Sequence, residues 1–311
     1  MGVTKVGIVG FGKIAYDQHV PSIAGNPAFR LAAIASQRGL TVDGVPSFRT
    51  ADEMIAGVPD LDAVAVCTPP QVRHTVARAM LAAGKHVMLE KPPTATLSEL
   101  QDLADFAERQ KRVLFTTWHS QYNAAVAAAR TALAGKAVIR LAITWREDVR
   151  RWHPGQKWIW AAGGFGVFDP GINALSIVSL IVPEPIFVER AALTFPANCD
   201  APIAASLVFR NGRAGAVLTA ELDWRQNDKD LWEIVVETAD GLNVTLENGG
   251  GRLLIDGALK IDEKHTEYEQ IYARFAELLA ANTSGVDAAP LRLVADAFLV
   301  GRRVIVEPFI E

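Results

Sequence analysis

The chain is short of cysteine, of surplus positive charge and of long apolar runs, and each shortage removes a class of protein. Its only cysteines, Cys67 and Cys199, lie far apart in apolar, strand-like segments. That rules out a disulfide scaffold and a cysteine-based metal knuckle, so two buried free thiols and no metal site are expected, as in a reducing cytoplasm. Lys and Arg number 31 against 35 Asp and Glu. Without a basic excess to neutralise phosphates, neither nucleic acid nor an anionic membrane is an expected partner. No apolar run reaches the length that spans a bilayer. The opening MGVTKVGIVGFG runs straight into a strand pattern, without the charged-then-apolar order of a leader. Position 6 is Val where a myristoylation signal needs Ser or Thr. A cytoplasmic protein is the expectation.

What is present reads as two kinds of architecture in succession. At 311 residues the chain exceeds a typical single domain. KVGIVG (5–10), RLAAIAS (30–36), LDAVAVCT (61–68), KHVMLE (85–90) and RVLFTT (112–117) are short and almost uniformly apolar, as strands buried on both faces are. Helical periodicity fills the segments between them, as in 69–84, and Thr96-Leu97-Ser98-Glu99 predicts a capping box opening a helix through Arg109. Alternation of this kind predicts a doubly wound parallel sheet. After about residue 136 the strands lengthen and alternate with period two: 138–148, 186–195, 202–209, 214–224 and 231–238. Asn211-Gly212, Asp240-Gly241, Asn248-Gly249 and Asp256-Gly257 mark hairpins, so the second sheet is mostly antiparallel. Helices are expected near 267–281 and 290–303. The fold class is therefore α/β: an N-terminal Rossmann domain (1–120) and a C-terminal α/β domain (121–311) with a large, mainly antiparallel sheet.

The first βα turn carries a phosphate-binding pattern. In GFGKIA (10–15), Gly10 permits the tight turn, Gly12 lets backbone approach a pyrophosphate, and Ala15 is small enough for helix–sheet packing. The helix N-terminus, at Lys13 and Ile14, supplies unpaired N–H groups and partial positive charge. A dinucleotide cofactor follows. The second strand ends in Ser36-Gln37-Arg38, with no carboxylate to hold a ribose 2′-hydroxyl or repel a 2′-phosphate. That predicts NADP as the preferred cofactor, with NAD still accepted. LEKPP (89–93) falls at the carboxyl edge of the fifth strand, where open α/β sheets bind ligands. Two prolines hold Lys91 rigidly, and one X-Pro bond there is a candidate for cis.

These elements together resemble a known family. GFGKIA, CTPPQVRH after the fourth strand, LEKPP after the fifth and GG…D-x-G-x-N before a later helix are similar to the glucose–fructose oxidoreductase, inositol dehydrogenase and rhizopine-catabolism family, over essentially the whole chain. The resemblance implies that Lys91 and Asp169 line the site beside the nicotinamide, and that Thr68, Pro69, His74 and Glu90 lie in the cofactor's path. It also implies that the C-terminal sheet can serve homo-oligomer contacts. One departure is informative. Where the family's helix usually carries Asp and, four residues on, an acid/base His, this chain has Asp169 and Asn173, and an amide cannot shuttle a proton at neutral pH. That pattern, with WREDVRRWHPGQKWIW (145–160) before it, resembles the family's aldose 1-dehydrogenase branch, which acts on L-arabinose and D-galactose.

The residues suit a sugar in their own right. Trp118, His119, Glu147, Trp152, His153, Trp158, Trp160 and Trp232 combine flat apolar faces with hydrogen-bonding groups, matching the C–H faces and hydroxyl rim of a pyranose. The expected reaction is oxidation at C1 to an aldonolactone. Lys91 and Asp169 are expected to act as a coupled acid/base pair, with Asn173 holding the reacting hydroxyl. His119, Glu147 and His153 would anchor the sugar, and Trp152 and Trp232 would bound its ring. Asp169 also reads as a cap for the helix begun by Pro170. The alternatives are an inositol or other sugar as substrate, or a non-catalytic NADP-binding sensor.

Overall fold

The computed structural model describes residues 2–263 and 266–311. The chain divides into two compact units, Met1–His119 with Tyr268–Ala288, and Ser120–Glu267 with Ala289–Glu311.

The first unit is built on a six-stranded sheet of β1 (Thr4–Val9), β2 (Phe29–Ala35), β3 (Ser47–Phe48), β4 (Ala63–Val66), β5 (His86–Leu89) and β6 (Leu114–Thr116). Their order is β3-β2-β1-β4-β5-β6 and every pairing is parallel. This is the Rossmann order, with its switch point between β1 and β4. β4 is buried at all four residues, as its AVAV sequence requires. After β1 the helical segment α1 runs as a π-turn over Ala15–His19 and as α-helix over Val20–Ala24. α2 (Ala51–Gly57), α3 (Pro70–Ala82) and α4 (Leu97–Arg109) follow, and α4 opens with the expected Thr96/Glu99 capping box.

The sequence boundary placed everything after residue 120 in the second domain, but α8 (Glu267–Ala281) packs with the first sheet. The reason is aromatic: Phe275 stacks on Phe29 and Phe115 at 5.9 and 6.0 Å, and Tyr272 meets Phe29 edge-on at 5.3 Å.

The second unit carries a nine-stranded sheet of β7 (Val138–Arg146), β8 (Phe187–Pro196), β9 (Ala204–Arg210), β10 (Val217–Asp223), β11 (Leu231–Thr238), β12 (Asn243–Glu247), β13 (Arg252–Ile255), β14 (Ala258–Asp262) and β15 (Gly301–Val306). The order is β14-β13-β12-β11-β7-β10-β9-β8-β15. All pairs are antiparallel except β10/β7 and β15/β8. Helices α5 (Val126–Leu133), α6 (Val149–Trp152), α7 (Phe168–Ile181) and α9 (Ala289–Val300) complete it. The expected final helix thus stops at Val300. Gly301 breaks it, and the β-branched Val304-Ile305-Val306 adds a strand beside β8. The Asp256-Gly257 turn has positive φ at both residues (51° and 75°), as a tight hairpin demands. Both cysteines are free and half-buried, more open than expected. Among the described residues no helix is long and apolar enough to cross a membrane.

Candidate functional site

The glycine turn after β1 has the shape of a pyrophosphate cradle. Gly10 takes φ +87°, and a Cβ there would come within 2.6 Å of the Thr68 backbone nitrogen. Only glycine lets the ends of β1 and β4 approach so closely. At Gly12 a Cβ would project outward, with the Gly10 carbonyl oxygen at 3.9 Å its one neighbour within 4 Å. Lys13 and Ile14 stand exposed at the start of α1, while Ala15 is wholly buried against the sheet. A cleft of about 320 Å³ opens beside them, lined by Phe11, Gly12, Tyr16, Leu40 and Thr41. The Thr68 hydroxyl is buried with no hydrogen-bond partner among the described residues, and Pro69 caps α3 beside it. A buried, unpartnered hydroxyl on the residue whose backbone packs against a Cβ-free turn fits a nicotinamide dinucleotide, whose phosphates would lie on Gly10, Gly12 and the α1 N-terminus.

The end of β2 departs in detail from the sequence reading. Ser36 is buried, its hydroxyl donating to the Phe11 carbonyl (3.3 Å) and accepting from Leu40 N (3.4 Å). It ties the loop down, while Gln37 and Arg38 stand exposed at its tip. Arg49, which sequence reasoning missed, donates to the Gln37 carbonyl at 3.3 Å and braces that tip. His74 turns toward α4, bonding Asp102 at 2.8 Å, and this bond together with Arg78 holds the Asp102 carboxyl below its ordinary range.

Lys91 sits half-buried in a heavily braced turn. The Lys91–Pro92 bond is cis. Buried Arg73, on α3, donates to the carbonyls of Thr68, Glu90 and Pro92, tying the loops after β4 and β5 together. Glu90 accepts from Lys91 N (3.0 Å), His19 Nε2 (2.9 Å) and the Tyr268 hydroxyl (2.7 Å). Burial pushes its carboxyl up, but the His19 bond and charge, His119 and Tyr268 outweigh that and hold it at about 2. His19 also meets the Tyr272 hydroxyl at 2.8 Å. Burial disfavours its charged form, yet Cys67, Tyr272 and Glu90 together keep its pKa well above the ordinary value. His119 stacks on Tyr268 at 5.9 Å and so belongs to this same cluster. Sequence reasoning found Glu90, Lys91 and His119 but not His19, Arg73, Tyr268 or Tyr272. A His and an Arg inside otherwise apolar helix faces were the only local signal.

In the second unit the strand topology brings the sugar-facing candidates to one edge. β7 and β10 run parallel, so Glu147 and Trp224, each just past its strand, emerge side by side, and the antiparallel β11 begins there with Trp232. Glu147 is buried, and its two oxygens accept the indole N–H groups of Trp224 (3.0 Å) and Trp232 (2.9 Å). A carboxylate has further lone pairs, so it can accept more donors than these two. Trp232 stacks on its cross-strand partner Trp145 at 5.8 Å and meets Trp152 at 5.5 Å. Trp152 is 45% exposed, with its N–H on Asp230 (3.2 Å). Trp118, by contrast, is core in the first unit, donating to the Asp287 carbonyl. Trp224, wholly buried, was not anticipated.

The glycine-rich approach to α7 is a packing requirement. A Cβ at Gly164 would lie 2.4 Å from the Trp158 carbonyl oxygen, and one at Gly166 (φ +52°) 2.2 Å from that of Pro202. The helix starts at Phe168, so Asp169 lies inside its first turn and does not cap it. Its buried carboxylate instead meets His153 Nε2 at 3.3 Å. Asn173 follows one turn later on the same helix face, half-buried.

Comparison with known proteins places this geometry. The model of an oxidoreductase family with an NAD-binding Rossmann fold matches residues 4–118. Galactose 1-dehydrogenase of Pseudomonas fluorescens is 47% identical over 307 residues, covering 99% of each chain. The chain belongs to the glucose–fructose oxidoreductase, inositol dehydrogenase and rhizopine-catabolism family. As a member it is a nicotinamide-dependent oxidoreductase. The solved D-galactose-1-dehydrogenase of Rhizobium etli superposes with a TM-score of 0.94 at 53% identity, covering 100% of this chain and 99% of that one. A 3-ketoreductase of Actinomadura kijaniata, determined with NADP, shares the fold with a TM-score of 0.84 at 16% identity, covering 98% and 100%.

Proposed function

We propose that this oxidoreductase is an aldose 1-dehydrogenase, oxidising D-galactose and L-arabinose at the C1 hemiacetal to the aldonolactone, with NADP preferred and NAD accepted. The observation that carries the reading is the full-length likeness to galactose 1-dehydrogenases of two bacteria, at 47% and 53% identity. The two sugars share ring configuration at C2 to C4 and differ by the C5 hydroxymethyl, so one pocket serves both.

When bound, the nicotinamide supplies the acceptor for the hydride that leaves C1. The chain's own residues handle the rest. Asp169 and Lys91 are the groups assigned to the C1 hydroxyl proton. Asn173, one turn beyond Asp169, holds that hydroxyl without titrating. Glu147, fixed by two indoles, accepts sugar hydroxyls, as does His119, while His153 lines the pocket behind Asp169, and the exposed face of Trp152 with Trp232 bounds the ring. Arg38 at the loop tip, braced beside Ser36 and Gln37, supplies the charge for a 2′-phosphate.

The test is reduced-cofactor absorbance with a panel of aldoses and inositols, run with NADP and with NAD. Turnover of galactose and arabinose, with the lower KM for NADP, is expected. Turnover of an inositol alone would overturn the substrate, and a lower KM for NAD would overturn the cofactor preference.

A further inference from the structure

His153 has a hydrogen-bond partner that places a proton on its Nδ1. Its Nδ1 faces Gln156 Oε1 at 3.4 Å, and the same Gln156 oxygen accepts from Trp158 Nε1 at 3.2 Å. An indole N–H can only donate, so the Gln156 atom it meets must be oxygen, and the amide orientation follows from the network. An amide oxygen can only accept, so His153 Nδ1 must carry a proton. Its Nε2 faces Asp169 Oδ2 at 3.3 Å, close enough for one proton to lie between them. With Nδ1 already protonated, that proton makes the ring an imidazolium beside a carboxylate when it sits on Nε2, and leaves a neutral ring beside a neutral acid when it sits on Oδ2.

Other groups stand around His153 as well. The Trp224 ring lies over it at 5.3 Å, and Glu147 is beyond that ring, bonded to the Trp224 N–H. On its own loop, Arg150 is engaged by Asp148 and the Ile310 carbonyl, and Arg151 by Asp230. Asp169 is the carboxylate against its Nε2.

We propose that His153 is the positioning residue that keeps Asp169 ionised, an imidazole supplied from a neighbouring loop where the helix itself carries Asn173. This rests on the assignment of Asp169 to the substrate proton. Burial alone would favour the neutral acid and remove the base; an imidazolium in contact favours the carboxylate. The hydroxyl O–H bond then breaks as an O–H bond forms on Asp169, and the hydride acceptor is the nicotinamide. After turnover the proton passes to water, restoring the carboxylate.

Two measurements test this. In protein carrying ¹⁵N-labelled histidine, the resonance lost in His153→Gln identifies His153 in wild type. Its titration should lie above the ordinary histidine value, and should drop by about one unit or more in Asp169→Asn and in Gln156→Leu. A His153 that titrates at its ordinary value in wild type, or that is unmoved in both variants, overturns the proposal. This arm needs no substrate, so it decides the pairing even if the sugar panel fails. The second is the pH profile of kcat/KM with D-galactose for His153→Gln, whose amide keeps a neutral N–H toward Asp169. The acid limb should move upward by about one unit or more, with activity recovering at higher pH. A uniform fall at every pH would mark His153 as a sugar ligand alone and overturn the proposal, while leaving the dehydrogenase reading intact.

Discussion

Each unit holds a histidine against a carboxylate, but the two pairs are built to opposite ends. His19 and Glu90 lie 2.9 Å apart, with side chains 0 and 5% exposed. His153 and Asp169 lie 3.3 Å apart, with the imidazole 19% exposed. Burial is not what separates their behaviour; the second partner is. His19 Nδ1 meets a tyrosine hydroxyl, which can donate or accept, so the ring keeps both bonds whether neutral or charged. His153 Nδ1 meets an amide oxygen, which accepts only, so a proton there is required. The first pair tolerates either state and braces the Lys91 turn through Glu90. The second has its Nδ1 proton fixed, so only the proton between Nε2 and the acid at the start of α7 can change place. A carboxylate–histidine contact thus reads as scaffold or as chemistry according to the donor repertoire around it.

The comparison breaks most sharply through Asp169. Asp169→Asn should lower kcat by roughly 10²–10⁴-fold, the range for a lost general base, with the melting temperature little changed. Equal activity in the variant would remove Asp169 from the proton's path. Glu90→Ala should act the other way, costing about 3–5 kcal/mol of unfolding free energy by leaving His19 buried without its counter-charge. Denaturant titration measures it, and a variant as stable as wild type would make the enclosed pair dispensable. The pH dependence carries a sign for each member. Glu90 is held at about 2, below its unfolded value of 4.5, so its contribution is present above 4.5 and is lost as pH falls toward 2. His19 is raised above 6.5, so its contribution is complete below 6.5 and is lost as pH climbs through the raised value. The stability gap between wild type and the double variant His19→Asn, Glu90→Gln should therefore be widest between pH 4.5 and 6.5, as read by melting temperature across pH.

A smaller effect separates the cofactor end of the first unit from its buried cluster. Arg38 is exposed at the loop tip, so Arg38→Ala should leave stability unchanged. It should raise the NADP KM about tenfold, the cost of one charge-assisted contact, with the NAD KM unmoved. A parallel rise for both cofactors would assign Arg38 to the shared part of the dinucleotide.

How much of this was legible beforehand depends on the range of the interactions. The Rossmann strands, the α4 capping box and the Gly10 turn are local patterns, and they lie where the residues predict. Residues 301–303 of β15 fell inside the expected helix 290–303, because the periodicity of α9 runs right up to Gly301. The assignment of α8 to the first unit rests on Phe275 meeting Phe29 and Phe115, some 160 to 246 residues away in the chain, which no local pattern encodes. The candidate residues divide the same way. Lys91, Asp169, Asn173 and Glu147 were visible because their motifs or flanking aromatics are contiguous. Arg73, Trp224, Tyr268, Tyr272 and the His153–Asp169 contact arise only when distant segments meet.

Trp152 offers the finest test of the contrast between scaffold and working surface within one aromatic cluster. Trp232 touches both Trp145 and Trp152, yet Trp145 is 4% exposed and Trp152 45%. Trp145 fills the core beneath the sheet edge, so its loss would open a cavity and destabilise the unit. Trp152 is held from behind by the Trp232 ring and by its N–H bond to Asp230, leaving a face open. Its removal therefore costs little packing and takes away one wall of the proposed sugar pocket. Trp152→Ala should raise the galactose KM about two- to fivefold, matching roughly 0.5–1 kcal/mol for one aromatic face, with kcat and both cofactor KM values near wild type. A change in melting temperature as large as that of Trp145→Ala would instead make Trp152 part of the core, and the wall would have to be sought elsewhere on β11.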